Sequence, residues 1–130
     1  MAGRGTAAER ALTAVGARFR LHGREPGTGL DCVGLAALAY RLDAPTGYCL
    51  RGGTPDDVAR ALGPGFTRAD GERPGDLLLF RAGPGQLHLA VRTTGGFVHA
   101  DLGLGRVVER PGTFPWPLLA AWRQGSGREG

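Results

Sequence analysis

Lysine is missing from this chain of 130 residues: all sixteen basic side chains are arginine, against twelve acids, for a net charge of +4. The arginines are scattered from Arg10, Arg18, Arg20 and Arg24 onward. A nucleic-acid surface would gather them in a stripe with interleaved aromatics, so that class of partner is set aside. What remains is a solvated basic surface with a mild attraction for polyanions; with 24 glycines, the bias also fits a GC-rich coding sequence. Cysteine is scarce. Cys32 and Cys49 form no C-x-x-C, which argues against a disulfide framework and against a short-loop zinc site. No apolar run approaches the ~18 residues of a membrane span. The start, "MAGRGTAAER", lacks the basic flank and apolar stretch of a secretory signal, so a soluble chain made in the cytoplasm is expected. No cofactor and no metal are expected, and no membrane contact.

One domain over residues 1–130 is expected, ordered from about 6 to 123 with flexible flanks at 1–5 and 124–130. Thr6 and Glu9 make a capping box, and Leu12, Val15 and Phe19 follow at helical spacing, predicting an amphipathic first helix. "HGREPGTG" reads as a loop without regular structure. Val33, Leu35, Leu38, Ala39 and Leu42 predict a second helix buried on most sides. In "TPDDVARALGPG", Thr54 caps, Pro55 takes the first helical position and Gly63 stops the helix. The period then changes. "DLLLF", "LHLAVR", "GFVHAD", "GRVVER" and "LLAAWRQ" read as strands, the last with a boundary blurred by Pro115 and Pro117. Helices followed by strands predict an α+β domain with an antiparallel sheet.

Chemistry enters with "GTGLDCVGL". If Asp31 is the N-cap, Cys32 lies in the first helical turn, where unpaired N–H groups and the helix dipole favour a thiolate and could also hold an oxyanion. On Asp31-Cys32 alone, a buried inert cysteine is the simpler reading. The histidines shift the balance. If Thr93–Gly96 is the turn, Arg92 opposes Phe97 and Ala90 opposes His99, which makes His99 a diagonal same-face neighbour of His88. A thiol, an imidazole and a group to orient it are the parts of a nucleophilic site. The alternative, two half-exposed sheet histidines, is the weaker reading for a pair on one face.

Four blocks in order, "GLDCVGL", "RPGDLLLF", "QLHLAV" and "GFVHAD", resemble the NlpC family of bacterial and phage cell-wall cysteine peptidases, with the likeness running from Leu12 to Arg123. The resemblance implies a papain-like α+β fold, N-terminal helices packed on an antiparallel sheet, and a Cys-His-His triad. Cys32 would be the nucleophile, His88 the base and acid, and His99 the orienting group. It implies hydrolysis of peptidoglycan stem peptides between D-γ-glutamate and diaminopimelate. It also implies a setting in a phage tail or gene-transfer-agent particle, with tail proteins as partners, and a monomer. An amidase or acyltransferase on another acyl substrate, or a non-catalytic tail module, are the alternatives. Many relatives carry a Tyr ahead of the nucleophile; Phe19 stands there, so either Tyr40, Tyr48 or His22 substitutes for the hydroxyl or the site works without it. Asp31, Phe19 and His22 are the expected substrate-adjacent positions, with helix capping the simpler role for Asp31. Asp76 reads as a turn-former, and Trp116 and Trp122 as packing, with Trp116 between two prolines also placed to line a groove.

Overall fold

The computed structural model describes residues 6–44 and 53–125. The N-terminal part carries three helices, α1 (Ala7–Thr13), α2 (Cys32–Tyr40) and α3 (Pro55–Leu62), and two strands of two residues each, β1 (Arg24–Glu25) and β2 (Gly29–Leu30). The remainder forms six strands: β3 (Phe66–Arg68), β4 (Leu77–Gly83), β5 (Gln86–Arg92), β6 (Gly96–Asp101), β7 (Arg106–Pro111) and β8 (Leu118–Gln124). The sheet runs β3-β8-β4-β5-β6-β7, antiparallel at every pairing. The architecture is therefore α+β, with the helices over one sheet face.

Local chemistry explains the helix ends. Thr6 and Glu9 complete a reciprocal capping box, as do Thr54 and Asp57, with Pro55 opening α3 and Gly63 closing it. Along α2 the residues Val33, Gly34, Leu35, Ala36, Ala39 and Tyr40 are all buried. Leu77, Leu78, Leu79 and Phe80 in β4 are each 0% exposed, because the strand is paired on both sides and covered on both faces. Each such side chain contributes about 1.5–3 kcal/mol of apolar burial. Leu77 and Leu79 join the core beneath the helices, with Leu89, Val91 and Val98. Leu78 and Phe80 face a smaller core with Ala90 and Phe97, which Phe114 and Trp116 cover.

Four expectations are corrected. α1 ends at Thr13, and its buried side is Ala8 and Ala11, while Leu12 and Val15 are exposed. Close approach to α2 admits alanine there and leaves the larger side chains outside. The stretch read as structureless holds the β1–β2 hairpin. Phe66–Arg68, unassigned from sequence, pairs with β8. Gln124 belongs to β8 rather than to a flexible flank, and its Nε2 donates to the Tyr40 carbonyl at 2.9 Å. Tyr48 and Cys49, and the flanks 1–5 and 126–130, lie outside the described residues. Asp76 does more than shape a turn: fully buried, it accepts both Nε and Nη2 of Arg123 at 2.8 Å, fastening β8 to the start of β4.

The glycine of "DCVGL" has a steric reason. A Cβ at Gly34 would stand 2.0 Å from the Gly23 carbonyl oxygen, a backbone atom that cannot step aside. Gly34→Ala is expected to destabilise the fold by about 1–3 kcal/mol through this overpacking, read as a lower midpoint in urea unfolding.

Candidate active site

Asp31 organises the first turn of α2. Its Oδ1 accepts the Gly34 N–H at 2.8 Å, the N-cap bond, and also Arg24 Nη1 at 2.9 Å. Its Oδ2 accepts the His22 N–H at 2.7 Å. With both oxygens engaged on a buried carboxylate, capping and loop anchoring are its role in this arrangement. His22 is held with φ at 62°, and its exposed ring stands at the cavity that the thiol also lines.

That cavity, of about 430 Å³, collects the sequence candidates. Cys32 and Asp31 come from the head of α2, His88 from β5, and His99 from β6; Phe19 and His22 come from the loop before β1. The hairpin register is the expected one, with Val91 opposite Val98 and Arg92 opposite Phe97. His88 Nε2 and His99 Nδ1 are consequently 2.9 Å apart, one donating to the other, with the rings at 87°. Alternation places both histidines on the face that carries Ala90 and Phe97, away from the helices. Their meeting with the thiol depends on the β5–β6 ladder, which ends at Val91 and Val98. His88 and His99 lie beyond the paired residues and line the cavity together with Cys32.

Trp116 closes the other side. Its ring stands edge-on to His88 and to His99, with centroids 5.4 Å away in each case. Trp116 also packs against the smaller core, so its groove-lining role and its packing role coincide.

No protein-family model and no curated protein matches the chain. Among solved structures, it is similar to the NlpC/p60 domain of the peptidoglycan hydrolase SagA. The match has 26% identity, a TM-score of 0.54, and covers 82% of this chain and 86% of that one. This is the NlpC/p60 fold.

Within that fold, Phe19 lines the cavity from a bridge to Leu30. Tyr40 supplies no hydroxyl there: it is buried at the far end of α2 and donates to the Gly75 carbonyl at 2.6 Å. The thiol departs from expectation. Burial pushes Cys32 up to about 11, and the Asp31 carboxylate adds to this; the backbone N–H groups of Leu89 and Cys32 and the charge of Arg24 pull it down without prevailing. The lowered thiol pKa expected of a first-turn cysteine is thus overturned by desolvation. Burial likewise disfavours the imidazolium of His88, whose pKa drops to about 4, with His99 adding to the fall and Asp101 opposing it. The resting state at neutral pH pairs a thiol with a neutral imidazole. Asp101 itself, at the end of β6, lines the cavity and was missed from sequence; its position two residues after His99 puts both on one strand face, the signal that was available.

The depressed His88 pKa fixes a sign. The unfolded chain, with an imidazole pKa of ~6.5, binds more protons than the folded one between that value and about 4. Stability therefore rises with pH across this window: the contribution is complete above ~6.5 and is lost as the pH falls toward 4. Wild type is expected to lose on the order of 3 kcal/mol more than His88→Gln between pH 7 and pH 4, measured by urea unfolding at each pH.

Proposed function

We propose that the chain is a cysteine peptidase acting on peptidoglycan peptides, with Cys32 as nucleophile, His88 as base and acid, and His99 as its orienting group. The observation that carries the reading is the hydrogen-bonded His88–His99 pair sharing one cavity with a thiol at a helix N-terminus, inside the NlpC/p60 fold. The peptidoglycan substrate is supported by the likeness to a domain of a peptidoglycan hydrolase.

Because thiol and imidazole rest neutral, the reading is one of general-base attack. His88 takes the Cys32 proton as sulfur adds to the scissile carbonyl, giving a tetrahedral oxyanion. In α2, the Gly34 N–H is committed to the Asp31 side chain and the Leu35 N–H to the Asp31 carbonyl. The N–H groups of Cys32 and Val33 are the first-turn donors left for that oxyanion. Collapse breaks the C–N bond, the departing amine takes the proton from His88, and water then hydrolyses the thioester. The preferred bond in this reading is D-γ-glutamyl-diaminopimelate, and the preferred setting a phage-tail or gene-transfer-agent particle; both are supported by the sequence resemblance.

The test is digestion of diaminopimelate-type peptidoglycan with mass spectrometry of the released fragments. Wild type should release peptides ending in D-γ-glutamate; Cys32→Ala and His88→Ala should lose at least ~1000-fold of that rate while remaining folded. In a Cys49→Ser background, iodoacetamide labelling of Cys32 should climb with pH well beyond neutrality instead of levelling near pH 7, as a thiol raised by burial requires. No fragments from folded wild-type protein would overturn the peptidase reading.

A further inference from the structure

The Nε2 atom of His99 is buried and has no hydrogen-bond partner among the described residues, although the ring is only 2% exposed. A buried polar atom left alone costs stability and calls for a reason. Its nearest charge is the Asp101 carboxylate, with Oδ2 at 3.7 Å. That is too long for a hydrogen bond and too short for an intervening water. The carboxylate is fixed in place: Oδ1 accepts the Leu104 N–H at 3.0 Å, and the Asp101 carbonyl accepts the Gly105 N–H at 2.8 Å.

We propose that Asp101 is a positioning residue, which holds the proton of His99 on Nε2 and thereby sets the direction of the hydrogen bond to His88. A neutral imidazole carries one N–H and one lone pair. With the proton on Nε2, His99 turns a positive hydrogen toward the carboxylate; with the proton on Nδ1, it turns a lone pair toward the same negative charge at the same distance. The first tautomer is favoured. Nδ1 of His99 then has a lone pair only, so His88 must donate from Nε2. The His88 lone pair is forced onto Nδ1, the nitrogen left to take a proton from a thiol. The opposite tautomer would put a hydrogen on Nδ1 of His88 and leave it no base there. Burial lowers the affinity of His99 for a second proton; Asp101 opposes this and the Arg110 guanidinium on β7 adds to it, so the net pull is toward the neutral ring whose tautomer Asp101 selects.

The inference rests on the peptidase reading for its activity measurement alone, because ring tautomers are read without substrate. Protein labelled with ¹⁵N histidine is compared with Asp101→Asn by long-range ¹H–¹⁵N NMR near pH 7.5. Wild type should show His99 protonated on Nε2 and His88 on Nε2. Asparagine keeps an oxygen for Leu104 and presents its NH₂ to His99, so both rings should shift toward the Nδ1 proton. On peptidoglycan fragments the same variant should lose about 10- to 100-fold in kcat with little change in KM. A wild-type His99 carrying its proton on Nδ1 would overturn the proposal, and needs no variant to be folded. So would an Asp101→Asn protein with unchanged tautomers. If wild type shows the expected tautomers yet cleaves nothing, the wiring stands and the peptidase reading falls.

Discussion

The site depends on the register of one hairpin. Because side chains alternate along a strand, a slip of a single residue between β5 and β6 would send His99 to the helix side and put Val98 or Ala100 in its place diagonal to His88. The turn that prevents this is held from several directions. Thr93 and Gly96 exchange backbone hydrogen bonds of 2.9 and 3.3 Å, and the Thr93 hydroxyl donates to Glu109 on β7 at 2.8 Å. Gly96 leaves no space for an alternative residue, since a Cβ there would stand 1.9 Å from the Arg110 carbonyl oxygen. The aromatic group of Phe80, Phe97, Phe114 and Trp116 then packs the histidine face, so a slipped register would also expose rings that are now covered.

The thiol end of the site is built on a different logic. Asp31 spends its charge on structure, tying the helix cap, the His22 backbone and the Arg24 guanidinium into one buried cluster. The helix terminus alone would lower the pKa of a cysteine, but the enclosure that shapes the cavity raises it by more. Under the proposed peptidase reading, the thiol is then activated by the imidazole at the instant of attack, which places the demand on the orientation of His88 and on whatever orients that ring.

Features set by local chemistry were legible in the sequence. The Thr6 and Thr54 caps, the Pro55 start and the Gly63 stop each depend on residues within four positions of one another. The hairpin register follows from a short turn and a period of two. Features set by contacts distant along the chain were not legible. The latch between Asp76 and Arg123 spans 47 residues. The pairing of β3 with the end of β8 joins a three-residue strand, too short to show a period, to a partner more than fifty positions away. The buried side of α1 went to alanines because α2 approaches closely, and hydrophobic spacing favours the larger Leu12 and Val15. The raised pKa of Cys32 reflects burial in the folded chain, which no motif encodes.

The order of strands in the sheet differs from their order along the chain in one place. β8 follows β7 along the chain yet lies between β3 and β4 in the sheet. A ribosome delivers β4 to β7 well before β8, so during synthesis the run Leu77–Phe80 is an open hydrophobic edge. Such an edge is a template for pairing with another chain. The sheet therefore cannot close until residues 118–124 have been made, and until then this edge stays open to misassembly.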